Sequence, residues 1–185
     1  MNPARREAIE RLLWPAPAAA GADGVWAVLD LARDSRIRAA LVESRLEYLC
    51  LYEGALPRVL EDAAPHIVQL LPGHRLTLRL LEEGWGRSWG CFLTIGDASN
   101  LRRHLRRFLR VRDEAGRALL FRYYDPRVLR VYLPTCTASE LAAVFGPLSS
   151  WLVESEGGAS AIEFRRAPAG TLVRRETPLP EGADA

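Results

Sequence analysis

All 25 basic residues of the chain are arginine, and there is no lysine. Schiff-base chemistry and the lysine-dependent phosphate loop both need a primary amine, so both are excluded. Gly84, Gly86 and Gly90 look like a phosphate cradle. The third glycine, however, falls one position late for the dinucleotide fingerprint. An apolar strand-like run also follows, where a helix N-terminus would have to receive the anion. His66, His74 and His104 lack zinc-site spacing, and no serine occupies a G-x-S-x-G elbow. Cys50, Cys91 and Cys136 lie more than forty positions apart and form no metal knuckle or redox pair. Cys50 and Cys91 fall inside apolar runs and read as small buried hydrophobes.

What remains is charge and aromatic surface. Arg102, Arg103, Arg106, Arg107 and Arg110 line one face of a helical pattern, and clustered arginines suit phosphate contacts. No RNA-binding signature or interleaved aromatic platform accompanies them. The plain reading is a solvated helix face, and an acidic protein partner is a third. Trp85, Trp89 and Trp151 read first as packing residues, with an interface left open because tryptophan and arginine are enriched in binding hot spots.

The 185 residues fit one domain with a substantial core, and 49% hydrophobic with 26% charged residues is ordinary globular composition. No apolar run approaches the roughly eighteen residues that span a bilayer. Near the start, Glu7 and Glu10 interrupt the apolar stretch a signal peptide would need, so a cytoplasmic location is expected. The net charge of +2 is too small to imply a polyanionic partner.

The elements that would position these residues follow from periodicity. Asn2 and Pro3 suit the start of a short amphipathic helix ended by Pro15, and residues 15–24 form a Pro/Ala/Gly link. Strands are predicted over 25–29, 46–52, 66–71, 91–95 and 118–124, with helices over 35–44, 56–63 and 75–83. Asp97 or Ser99 would cap a helix carrying Leu101, Leu105, Phe108 and Leu109. Asp125 would cap another that begins at Pro126 and is stopped by Pro134. Thr137 and Glu140 make a capping box before Leu141, Val144 and Phe145. Further strands are expected over 148–154, 161–165 and 171–174.

The repeated strand-helix-strand spacing predicts an α/β fold, a largely parallel or mixed central sheet flanked by helices in a single compact domain. The stretch 85–134 reads as a β-α-β unit followed by a helix. Residues 1–24 are expected as an N-terminal helix and linker, 25–176 as the α/β domain, and 177–185 as a disordered tail.

Taken together, Trp85-Gly86-x-Ser88-Trp89-Gly90, the Leu-Arg-Arg-His-Leu-Arg-Arg run at 101–107 and Phe121-Arg122-Tyr123-Tyr124-Asp125-Pro126-Arg127 resemble one family. It is the effector adaptor, or chaperone, domain of bacterial type VI secretion. The likeness continues to Leu133-Pro134-Thr135, Phe145-Gly146-Pro147 and Trp151, and reaches back to Leu29-Asp30-x-Ala32-Arg33-Asp34. It implies a non-enzymatic cytoplasmic protein that holds a secreted effector and helps load it on the VgrG spike, with no cofactor, metal, nucleic acid or membrane involved. The alternatives left open are a small α/β enzyme and an arginine-rich nucleic-acid binder. Candidate protein-binding residues are Trp85, Trp89, Arg103, Arg107, Tyr124, Asp125 and Arg127. Arg127 would lie in a first helical turn, against the helix dipole, and so requires a carboxylate partner. An external one is expected.

Overall fold

The computed structural model describes residues 2–15, 24–55, 57–112 and 115–181. The segment predicted as a linker, Leu56, and half of the turn expected near 113–116 lie largely or wholly outside the described residues.

Seven strands form the central sheet. They are β1 (Gly24–Asp30), β2 (Tyr48–Cys50), β3 (Pro65–Leu70), β4 (Gly90–Ile95), β7 (Leu148–Glu154), β8 (Ser160–Arg166) and β9 (Leu172–Pro178), in the order β2-β3-β1-β4-β7-β8-β9. The expected central sheet with flanking helices is what forms, and every neighbouring pair in it is antiparallel. The strand-helix-strand spacing is nevertheless real. β1 and β2 run the same way with β3 between them, and β3 and β4 run the same way with β1 between them. Each crossover helix therefore skips a slot, and an antiparallel strand fills it.

Helices cover both faces because the central strands are apolar on both. On one face α1 (Pro3–Leu13), α2 (Ser35–Ser44), α4 (Arg75–Arg79) and the π turn that continues it (Leu80–Gly84) place Ile9, Leu13, Ile37, Leu41, Leu76 and Leu81 over Val25, Ala27 and Leu29 of β1. On the other, α5 (Leu101–Arg106), α6 (Pro126–Tyr132) with the 3-10 turn after it (Leu133–Thr135), and α7 (Ala138–Phe145) pack Leu105, Leu129, Leu133 and Phe145 against Val28, Leu93 and Trp151. A six-residue helix, α3 (Arg58–Ala63), buries none of its residues. The helix chosen for 75–83 forms, its last part as a π turn, Leu80–Gly84.

Five expectations are corrected. The run 118–124 does not enter the sheet. Its first residues form β6 (Ala118–Leu120), which pairs only with β5 (Arg110–Arg112) as a separate hairpin, so 85–134 is not a β-α-β unit. The chain leaves the helical path after Arg106, because Leu109 turns inward to be buried and the hairpin begins at Arg110. Strand β2 is only three residues long, since beyond Cys50 the chain is held by Leu51 N–H to Pro65 O alone. Asp97 accepts hydrogen bonds from the Ser99 N–H and Oγ in the preceding turn, and α5 starts at Asn100 without a side-chain cap.

The fifth concerns the two ends. α1 belongs to the body of the domain, because Ile9 and Leu13 are buried in the same core as β1. Arg6 also pairs with Glu82 at 2.7 Å. At the other end β9 runs through Pro178, and Leu179 is buried with its N–H on Ala159 O, where a disordered tail was expected from 177. Asn2 Nδ2 donates to Glu181 O at 3.1 Å, so the first and last described residues meet.

Candidate functional site

Three of the quoted motifs, Leu29–Asp34, Trp85–Gly90 and Phe121–Arg127, converge at one end of the sheet, where β1 and β7 finish and β4 and β8 begin. The loop from Gly84 to Gly90 crosses this end, and its glycines are there for space and turn. A Cβ on Gly90 would lie 2.1 Å from Val28 O, because β4 enters the sheet hard against β1. Gly86 has φ +83°, a turn that side chains disfavour. Trp85 lies flat against Phe92, centroids 6.1 Å apart, and its indole N–H donates to Gly158 O at 2.9 Å. Trp89 is buried, with the Arg36 guanidinium 5.2 Å above its ring.

Glu154, at the end of β7, holds this loop from below. Its carboxylate accepts from Gly86 N–H at 2.6 Å, Ser88 N–H at 2.8 Å and Ser88 Oγ at 3.3 Å. Burial pushes its pKa up, and the three donors offset only part of that rise. Arg130 of α6 donates to Glu154 O at 2.6 Å, tying the helix to the same strand end. The sequence gives little sign of this role: Glu154 ends an apolar strand run, Trp151-Leu152-Val153, and that burial without a charged neighbour is its only signal.

The second part of the site is an ion-pair network. Asp30 is buried at the end of β1, and Arg122 pairs with it. The same guanidinium lies 3.8 Å from Asp125. Asp125 caps α6 as predicted, accepting from Arg127 N–H at 3.0 Å. The Arg127 side chain then folds back on that cap, with Nε 3.0 Å from Oδ1 and Nη2 2.6 Å from Oδ2. Burial tends to raise the Asp125 pKa, but the Arg127 hydrogen bonds outweigh it and the net shift is downward. The carboxylate partner of Arg127 is therefore internal, which corrects the external one expected. Asp34, Ser35 and Arg36 repeat the device at α2: Asp34 caps the helix, and Arg36 forks onto its carboxylate at 3.0 and 2.6 Å.

Trp85, Trp89, Tyr124, Asp125 and Arg127 are thus brought together, while Arg103 and Arg107 lie apart on the exposed face of α5. Trp85, Trp89, Tyr124 and Asp125 are all buried, so they build the site and cannot themselves form a contact surface. Burial raises the Tyr124 phenol and the Cys91 thiol far from reactivity, and the Cys91 Sγ bonds Tyr124 O at 3.2 Å. His66 and His104 bond the carbonyls of Ala64 and Val144, and His74 caps α4. Beneath the two tryptophans a cavity of about 10 Å³ has room for one water at most. Among the described residues no group of histidines, cysteines and carboxylates could hold a metal, and no helix is long and apolar enough to cross a membrane.

The site is therefore a clamp of internally bonded carboxylates at one end of a three-layer α/β domain. Residues 25–143, well over half of the chain, match a family model described as a domain of unknown function, DUF4123, and the chain belongs to that family. No curated protein and no solved structure matches it significantly.

Proposed function

We propose that this chain is a non-enzymatic adaptor of the bacterial cytoplasm, which holds a type VI secretion effector and helps load it on the VgrG spike. The observation that carries this reading is the family match over 25–143, which takes in the tryptophan–glycine loop, the arginine helix and the Phe121–Arg127 motif on which the resemblance to effector adaptors rests. The internal geometry supports it. Asp30, Asp125 and Glu154, buried carboxylates of the sort a catalytic site would use, are each engaged by the fold itself: Asp30 by Arg122, Asp125 by the start of its own helix and Arg127, and Glu154 by the Gly86–Ser88 loop. The test is co-expression with the effector encoded by the neighbouring gene and with VgrG, followed by affinity capture. A complex with the effector is expected. A folded protein that retains neither neighbour removes the proposal.

A further inference from the structure

Resting on that adaptor reading, we propose that the outer face of α5 and the β5–β6 hairpin together form the cargo-docking surface, and that it takes a segment of the effector rich in carboxylates and aliphatic side chains.

The hairpin is anomalous as a structural element. All six of its strand residues are exposed, so neither face is buried in the body of the protein. Two short strands alone are marginal in water, and a hairpin normally needs a third strand or a helix against it. Three of the six side chains are nonetheless large and aliphatic: Val111, Leu119 and Leu120, the two leucines about half exposed. Val111 and Leu119 are cross-strand partners, while Leu120 faces Arg110. Apolar side chains scattered singly over a surface need no explanation, but three gathered on one projecting hairpin mark a contact site.

Charge identifies the kind of partner. Residues 101–120, which span α5 and the hairpin, contain seven arginines against two acidic side chains, Asp113 and Glu114. Three of these are occupied at home, Arg102 on Cys50 O at 3.0 Å, Arg106 on Glu53 at 2.9 Å and Arg112 on Gly116 O at 2.8 Å. Arg103, Arg107 and Arg110 face outward along the path that leads from α5 into the hairpin. An arginine rim around aliphatic side chains complements carboxylates around aliphatic ones. It disfavours a second copy of this chain, which would bring like charge to like. Nucleic acid is disfavoured too, because the nearby rings that could stack on bases are engaged within the protein. Phe108 packs edge-on to His104 and Tyr123, and Phe121 packs on Tyr132 at 4.7 Å.

The experiment compares effector binding by wild type, the Arg103→Glu/Arg107→Glu double variant and the Leu119→Ser/Leu120→Ser double variant. Thermal unfolding is run on each. The charge-reversal pair lies on an exposed helix face and keeps its fold even where the hairpin pair proves fragile. Expected are wild-type binding that weakens as salt rises and a loss of about tenfold or more in each variant, as for removal of a strong contact. If wild type binds and the charge-reversal variant binds equally well, the docking surface is overturned and the adaptor reading stands. If wild type does not bind the effector, both fall. A mixed-sequence single-stranded RNA is run alongside. Retention of the RNA by wild type and its loss on charge reversal, with effector binding intact, would overturn the proposal in favour of a nucleic-acid site.

Discussion

Asp125 and Arg127 are two parts of one device: the carboxylate that caps α6 is also the counter-ion of a guanidinium two residues on. The two substitutions should therefore differ in size. Asp125→Ala removes the cap and frees Arg127, while Arg122 keeps Asp30, and a loss of about 1–2 kcal/mol in chemical denaturation is expected. Arg127 is half exposed, so Arg127→Ala should cost less than about 1 kcal/mol. Equal losses would mean that the pair, and not the cap, dominates. The twin device at α2 gives a pH prediction. Hydrogen bonds from Arg36 hold the Asp34 carboxyl down, from 3.8 to about 2. A depressed folded pKa contributes stability in full above the ordinary carboxylate range and loses it as pH falls towards about 2. Asp34→Asn keeps a good capping oxygen but not the charge. Its melting temperature should fall below wild type at neutral pH, and the gap should close across that acid window. The Asp125 cap was legible, since Asp before Pro126 has a local meaning. The fate of Arg127 was not, because nothing in the spacing tells whether a flexible guanidinium reaches outward or back to its own cap.

The loop between the π turn and β4 is an element whose shape is set from outside itself. Glu154 lies 66 residues or more along the chain from its Ser88 and Gly86 donors. Glu154→Gln would set an amide NH2 against a backbone N–H and leave one buried donor unpaired, a cost of about 1–3 kcal/mol. Near-ultraviolet circular dichroism should register the loosened Trp85 and Trp89. An unchanged melting temperature and unchanged tryptophan spectrum would show that the loop holds itself. Elements with their own signals, such as α2, the capping box of α7 and strand β7, were readable from local pattern. The hairpin was not: Ala118, Leu119 and Leu120 read as buried strand because apolar composition is silent on whether anything covers it. Nor could spacing distinguish neighbouring parallel strands from parallel strands with another between them, since the same crossover helix serves both.

At the scale of the whole molecule, α1 is part of the core. Ile9 is wholly buried beneath the sheet, so Ile9→Ala should cost about 2–5 kcal/mol. A denaturation midpoint equal to wild type would show that α1 is dispensable. The hydrogen bond from Asn2 to Glu181 brings the first and last described residues together. Both segments lie beside the Gly158 turn, where the Arg5 side chain bonds Gly158 O and the Leu179 N–H bonds Ala159 O. Joining residue 2 to residue 181 and reopening the chain at an exposed turn would therefore stretch no connection across the sheet.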